Sequence, residues 1–191
     1  MADPAAAVAW PVRTERLLLR RATAGDVRAT WEHRKLPVVQ QWIGLAPQTY
    51  EDYREAFLEP DRLASLVVVE REGEVIGDLV LRVGDGWAQR ESVDAARGTQ
   101  AEIGWSFHPA AGGQGYATEA VGALVALCFG PLGLRRVYAG CFADNERSWR
   151  LMERIGMRRE EHSLATRLHR DGRWLDWMTY GLLAREWPGS G

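Results

Sequence analysis

The segment from His108 to Ala120, HPAAGGQGYATEA, carries three glycines where a predicted strand ends and a predicted helix begins. Glycine loses more conformational freedom on ordering than any other residue, so its repeated use indicates that bare backbone is needed here. In such a turn, unpaired backbone N–H groups and the positive end of the helix dipole converge on one point. This arrangement suits a phosphate or diphosphate, and a glycine-rich loop without a ligand is the structural alternative.

Polar side chains elsewhere could hold a ligand or transfer a proton. Asn145 and Ser148 are three residues apart near the start of a predicted helix, so they share one face; capping by Asn145 alone is the alternative. Glu102 lies in AEIGW, a predicted strand whose side chains alternate between faces. Its carboxylate could accept a proton directly or through water, or could only pair with an arginine. His108 is a weaker candidate for a base because it precedes Pro109 at a loop entrance.

These residues must be positioned by a framework of short strands and helices. Two amphipathic helices are predicted before residue 60, one helix follows the glycine segment, and another spans DNERSWRLMERIG. The predicted strands are RLLLR, LASLVVVE, EVIGDLVLRV, AEIGWSF, RRVYAGCF, EEHSLATRLH and WLDWMTYGLL. Because hairpins mix with crossover helices, we predict an α/β (α+β) fold with a mixed, mostly antiparallel central sheet of about seven strands flanked by about four helices.

Composition narrows the class of protein. A chain of 191 residues fits one domain, predicted over residues 12–187, with a disordered lead at 1–11 and a tail at 188–191. The net charge of −2 gives no global positive field for nucleic acid. No apolar run approaches the roughly 20 residues of a membrane span, and the N-terminal segment lacks the basic region of a signal peptide. Cys128 and Cys141 have no metal-site spacing, so no metal is expected and both are predicted to be buried thiols of a cytoplasmic protein.

The run EIGWSFHPAAGGQGYATEA, followed 25 residues after Ala120 by NERSWRLMERIGM, resembles the GNAT family of N-acetyltransferases. It is most similar to the RimJ/RimL branch, which acetylates the N-termini of ribosomal proteins. TERLLLRRATAGD and DGRWLDWMTYGLLAREW resemble the opening strand and closing hairpin of that branch, so the resemblance covers Pro11 to Trp187. The family's loop pattern is Gln/Arg-x-x-Gly-x-Gly/Ala, and this chain departs from it because Gly112 stands where Gln or Arg is usual.

The resemblance implies a GNAT-like acyl-CoA N-acyltransferase fold and acetyl-CoA as the cosubstrate, its diphosphate held by backbone amides of the loop. Asn145 would bind a pantetheine amide, Ser148 would donate a hydrogen bond to the leaving thiolate, and Glu102 or a chain of waters would be the base. The catalytic residues implied are therefore Ser148 and Glu102. The implied cofactor-binding residues are Trp105, Phe107, Gly112, Gly113, Gln114, Gly115, Tyr116, Ala117, Thr118, Asn145 and Ser148.

The implied reaction is direct attack of a primary amine on the thioester in a ternary complex, the amine being a protein N-terminus or a small molecule. The first two helices and the polar loop Gly84–Gln100 would wall the acceptor cleft. A transferase for a longer acyl-CoA such as succinyl-CoA, or a non-catalytic acyl-CoA-binding module, are the alternatives. No nucleic acid or membrane is expected as a partner, and a homodimer is compatible with the resemblance.

Overall fold

The computed structural model describes residues 7–188, which divide into two units that we describe separately. The N-terminal unit contains residues 9–81 and 104–121, and the C-terminal unit contains residues 7–8, 82–103 and 122–188. Within residues 7–188 there are eight strands and six α-helices. The strands are β1 Val12–Arg13, β2 Leu18–Arg21, β3 Leu66–Arg71, β4 Glu74–Gly84, β5 Gln100–Phe107, β6 Arg136–Phe142, β7 Arg158–Leu168 and β8 Trp174–Leu183. The helices are α1 Val27–Arg34, α2 Pro37–Gln40, α3 Tyr50–Leu58, α4 Pro60–Ser65, α5 Tyr116–Phe129 and α6 Glu146–Arg154.

The strands of the N-terminal unit follow the order β1-β2-β3-β4-β5. The β1/β2, β2/β3 and β3/β4 pairs are antiparallel, and a backbone bond of 2.9 Å from His108 N to Ile76 O continues the ladder at the end of β5. The β-branched run of β3 is buried on both faces, as expected for a central strand. Helices α1 and α3 pack against it through a core of Val27, Tyr53, Phe57 and Leu66.

The strands of the C-terminal unit follow the order β5-β6-β8-β7. The start of β5 runs parallel to β6, from Gln100 opposite Arg136 to Glu102 opposite Tyr138, while β6/β8 and β7/β8 are antiparallel. Burial alternates along β6, so every second side chain enters the core of this unit. The buried side chains of β6 are Val137, Ala139 and Cys141.

The predicted fold class is confirmed: the chain is mixed α/β with a mostly antiparallel sheet. The counts differ, because within residues 7–188 the short strand β1 and the short helices α2 and α4 were not predicted. Both extra helices begin with proline, whose fixed φ suits the first helical position. Strand β2 begins at Leu18, two residues after the start of the predicted run RLLLR, because the residues before it form a turn in which Thr14 N donates to Leu17 O at 2.9 Å.

Two predictions on the ends of the chain fall partly outside the described residues. The predicted lead at 1–11 includes residues 1–6, and the predicted tail at 188–191 includes 189–191. The single domain over 12–187 stays a prediction. No helix within residues 7–188 is long and apolar enough to cross a membrane.

Candidate active site

The glycine segment follows β5 directly and begins with a tight turn. Pro109–Ala111 form a single 3₁₀ turn, and His108 caps it, its Nδ1 accepting a hydrogen bond from Ala110 N at 3.1 Å. Gly112 N closes the turn by donating to Pro109 O at 2.9 Å. The imidazole that sequence analysis weighed as a weaker base thus serves as a local cap.

Gly112 stands at a sterically closed position. A Cβ on this residue would lie 2.9 Å from Pro109 O, a backbone atom that cannot move without opening the turn. The Gln or Arg usual at this point of the family pattern therefore has a steric reason to be absent here. A side chain that could support the loop must come from elsewhere in the fold.

Two residues of the loop before α5 have a left-handed backbone conformation. Gly113 and Gly115 have φ of 76° and 81°, the left-handed region that favours glycine. Helix α5 starts at Tyr116, and Glu119 N donates to Gly115 O at 3.0 Å. Within residues 7–188, no protein acceptor receives the backbone N–H groups of residues 113–118. A run of unengaged amides therefore meets the positive end of the α5 dipole.

Residues that sequence analysis did not assign hold this loop from one side. Arg16 Nη1 donates to Gln114 O at 2.9 Å, and Arg16 Nε donates to Glu119 Oε2 at 2.7 Å. The sequence gives only a weak indication of this pairing: Arg16 and Glu119 have opposite charges, and each lies near the start of a strand or a helix. Nothing in the sequence alone indicates that residues so far apart meet.

The end of β5 presents aromatic and polar side chains beside the loop. Trp105 and Phe107 are half-buried. The Phe107 ring crosses β4 so closely that a Cβ on Gly77 would lie 2.5 Å from it. Ser106 is buried, and its Oγ has no hydrogen-bond partner within residues 7–188. The Phe107 ring therefore packs on β4.

Glu102 lies on the C-terminal unit's part of β5, opposite Tyr138 of β6. Its carboxylate contacts Arg82, with Nη1 and Oε2 3.4 Å apart, and its side chain is 46% exposed. Pairing with an arginine, the alternative considered from the sequence, is therefore present. An exposed pair of this length is a weak one, so the carboxylate is not fixed in place.

Asn145 caps α6. Its Oδ1 accepts from Ser148 N at 3.4 Å, and its carbonyl oxygen accepts from the same N–H at 3.0 Å. Burial raises the pKa of the neighbouring Cys141 thiol to about 11, and a hydrogen bond from the Ser148 side chain opposes that rise. The structure thus brings Asn145, Ser148 and Cys141 together at the start of α6.

The described residues contain no group of three or more His, Cys, Asp or Glu side chains that could hold a metal ion. Both cysteines are buried and free. Burial raises the pKa of Cys128 to about 12, so both thiols are neutral at physiological pH.

Comparison with known proteins defines the class. Residues 16–158 match the family model described as the acetyltransferase (GNAT) domain. The chain therefore belongs to the GNAT family and is an acetyltransferase. It is 30% identical to "Uncharacterized N-acetyltransferase YnaD" of Bacillus subtilis (strain 168) over 180 residues, which cover 92% of this chain and 98% of that relative.

Solved structures agree with this assignment. An acetyltransferase (GNAT family) from Bacillus anthracis superposes with a TM-score of 0.78 and 31% identity, covering 92% of this chain and 99% of that one. The ribosomal-protein-S5-alanine acetyltransferase from Vibrio fischeri has a TM-score of 0.74 and covers 94% of this chain and 99% of its own, but it is only 17% identical. The second likeness is one of fold alone.

Proposed function

We propose that this protein transfers an acetyl group from acetyl-CoA to a primary amine by direct attack in a ternary complex. The observation that carries the proposal is the run of unengaged N–H groups at residues 113–118, at the start of α5. A diphosphate offers several acceptor oxygens and negative charge, which match these donors and the helix dipole. The two glycines at positive φ leave no Cβ in its path.

The donor would be oriented by backbone and side-chain groups together. Acetyl-CoA supplies the activated acetyl thioester. The amides of residues 113–118 would anchor its diphosphate, and the main chain of Trp105 to Phe107 would pair with the pantetheine arm. Asn145 Nδ2 donates to no protein acceptor within residues 7–188, which leaves it for a pantetheine carbonyl.

In the transfer, a C–N bond forms between the amine and the acetyl carbon, and the C–S bond breaks. We propose that the Ser148 hydroxyl donates a hydrogen bond to the departing sulfur. Its place in the first turn of α6, three residues after Asn145, supports this role, because both side chains then lie at the same end of the helix. The amine proton would pass to Glu102, whose weak pairing with Arg82 leaves it able to turn, or to a chain of waters.

The acceptor is proposed only as a class. The motif order of the chain favours the RimJ/RimL branch, hence a protein N-terminus, and a small-molecule amine is the second class. Exposed acidic residues of the polar loop between β4 and β5 would attract a cationic amine. These residues are Asp85, Glu91 and Asp94. A cytoplasmic location and a homodimer remain predictions of the same proposal.

A longer acyl donor such as succinyl-CoA is the second candidate. It is favoured by the open face of β5 at Gly104, where a Cβ would meet only Val80, at 3.7 Å. A non-catalytic acyl-CoA-binding module would bind the same coenzymes without turnover. Detection of free thiol while peptide and polyamine acceptors are screened with acetyl- and succinyl-CoA separates these possibilities.

Coenzyme binding is tested first by thermal unfolding. Acetyl-CoA at 100 times its Kd should stabilise the protein by about 2.7 kcal/mol. No shift of Tm at saturating coenzyme would remove the donor from the proposal.

Ser148→Ala should lower kcat at least about tenfold while leaving the acetyl-CoA Kd nearly unchanged. Thr166→Ala, an exposed change on β7, is the control, and an unaltered kcat in Ser148→Ala would contradict the role of the hydroxyl.

A further inference from the structure

We propose that Arg16 is a positioning residue for the coenzyme's diphosphate: it fixes the loop at residues 113–118 through Gln114 and Glu119 without touching the ligand. The inference rests on the proposed use of acetyl-CoA and concerns residues outside the loop itself. All of them lie in the N-terminal unit. Arg16 stands in the turn between β1 and β2, 98 residues from Gln114 and 103 from Glu119.

The first contact controls the direction of a loop peptide. Arg16 Nη1 donates to Gln114 O at 2.9 Å, so this carbonyl is held toward the β1–β2 turn. The N–H of the following residue, Gly115, belongs to the same peptide plane and must point the opposite way. Arg16 thereby turns one of the unengaged amides outward. It also prevents the Gln114–Gly115 peptide from turning over, which would point a carbonyl oxygen at the phosphate and repel it.

The second contact fixes the first turn of α5. Arg16 Nε lies 2.7 Å and Nη2 2.6 Å from Glu119 Oε2, and the backbone N–H of Arg16 donates to Oε1 at 2.9 Å. Thr14 adds a hydrogen bond from its hydroxyl to the same Oε1 at 2.5 Å. The Glu119 carboxylate thus receives bonds from two residues of the β1–β2 turn. Partial burial raises the pKa of Glu119, but the hydrogen bonds from Thr14 and Arg16 lower it by more. The net pKa is therefore below the usual glutamate value, and the carboxylate is ionised at neutral pH.

The Arg16 guanidinium also packs against an aromatic ring at the start of α5. Tyr116, the first residue of α5, is 5% exposed, and the Arg16 guanidinium carbon lies 4.7 Å from its ring centroid. Arg71, at the end of β3, lies 5.0 Å from the same centroid. Two arginines from two hairpins therefore hold one aromatic side chain at the helix start.

The contacts of Arg16 within the protein indicate a positioning role. Three of its five guanidinium N–H groups are used there: Nε and one N–H of Nη2 face Glu119, and one N–H of Nη1 donates to the Gln114 carbonyl. The charge of Arg16 is balanced by the Glu119 carboxylate, so little net attraction for a phosphate remains. The steric closure at Gly112 completes the argument, because the loop cannot carry a supporting side chain at its own start.

The decisive experiment compares two donors. Acetyl-CoA carries the diphosphate, whereas acetyl-pantetheine lacks it, so loss of loop positioning should affect only the first. We expect Arg16→Ala to raise the KM or Kd for acetyl-CoA about tenfold or more, with the kinetics of acetyl-pantetheine unchanged. Arg13 is exposed, and its side chain makes no hydrogen bond or ion pair within the described part of the chain, so Arg13→Ala provides the matched control.

Further variants separate geometry from charge. Arg16→Lys keeps the charge but cannot form the planar fork, so it should lose nearly as much acetyl-CoA affinity as Arg16→Ala. Thr14→Val removes the hydroxyl bond to Glu119 together with the hydroxyl's two hydrogen bonds to Leu17 in the β1–β2 turn, and it should cost about two- to threefold in acetyl-CoA affinity. It also serves as the test should Arg16→Ala fold poorly, as judged by circular dichroism.

The outcomes are distinguishable. Full rescue by Arg16→Lys would show that charge alone acts, and equal losses with both donors would show a general defect of folding; either overturns the inference. Acetyl-CoA binding by Arg16→Ala with wild-type affinity overturns it as well, and leaves the proposed function standing. If the wild-type protein binds no acetyl-CoA, the proposed function fails first, and the inference falls with it.

Discussion

The first backbone N–H groups of α5 and α6 are treated differently by the rest of the protein. Each helix leaves its first N–H groups without partners inside the helix. At α6, Asn145 supplies a side-chain cap and its carbonyl accepts from Ser148 N and Trp149 N. At α5, within the described residues, no side chain caps the helix, and glycines precede it. At α6 the N–H groups of Glu146, Ser148 and Trp149 therefore donate to protein acceptors, whereas the first N–H groups of α5 are left for an external acceptor.

The two helix starts also differ in how they are held. Asn145 fixes α6 from within its own first turn, over three residues of sequence. Helix α5 is instead held from outside, by Arg16 and Thr14 on Glu119. A cap from its own sequence would occupy the amides, so an open helix start needs support on its flank. This difference indicates which of the two is built to receive an anion.

The largest expected effect comes from placing a Cβ in the α5 loop. Gly113→Ala puts alanine at a φ of 76°, and Gly73→Ala does so at 85° in the β3–β4 turn; neither Cβ would meet an atom within 4 Å. Both changes should therefore cost about 1–2 kcal/mol of unfolding free energy. Only Gly113→Ala should raise the acetyl-CoA Kd, by about 100-fold or roughly 2.8 kcal/mol. Denaturant unfolding and calorimetric titration measure the two effects, and equal coenzyme affinities in both variants would contradict the assignment.

An intermediate effect is expected at α6. Asn145→Ala removes the cap and should lower the unfolding free energy by about 1 kcal/mol. Asn145→Asp keeps an acceptor at the same place and should restore stability. Because the aspartate lacks the amide N–H groups, it should not restore the acetyl-CoA Kd if Asn145 Nδ2 binds pantetheine. Recovery of both properties would leave Asn145 as a cap alone.

The smallest effect concerns acid. The pKa of Glu119 is lowered in the folded protein, since the bonds from Thr14 and Arg16 outweigh the effect of burial. The stabilisation is therefore complete above the unfolded pKa and is lost as the pH falls through the folded value. Between about pH 5 and pH 3, the wild-type Tm should fall more steeply than that of Glu119→Gln, by an amount worth at most about 1 kcal/mol. Parallel Tm curves would show that this carboxylate adds nothing at the α5 start.

Much of the local structure could be predicted because it depends on few neighbouring residues. One example is the set of three glycines between a strand and an apolar helix, where the preference lies in the glycine backbone itself. Another is Asn145, the asparagine of DNERSW, whose short side chain favours the position just before a helix. The run LASLVVVE shows the limit. A short apolar run fits a strand or a buried helix turn, and the residues before Leu66 belong to α4.

Pairings between distant residues could not be predicted. Asp78 is buried with His33 and Arg34, its Oδ1 2.7 Å from His33 Nε2 and 3.0 Å from Arg34 Nε. In the sequence, these looked like the ordinary charged residues of a helix and a strand. Which residues meet depends on where α1 packs on β4, and no local pattern encodes that placement. The pairing of Glu102 with Arg82 depends in the same way on how strands align.

The sequence by itself determined the glycine turn, the helix that follows it, the helix after Asn145, the β3–β4 and β7–β8 hairpins and the class of fold. Each of these follows from the conformational preferences of a few adjacent residues. Only the tertiary structure decided that the α5 amides stay unengaged and that Arg16 reaches Gln114 and Glu119. Side chains about 100 residues apart meet only when sheet register and helix packing bring their backbones together, and those are properties of the whole chain.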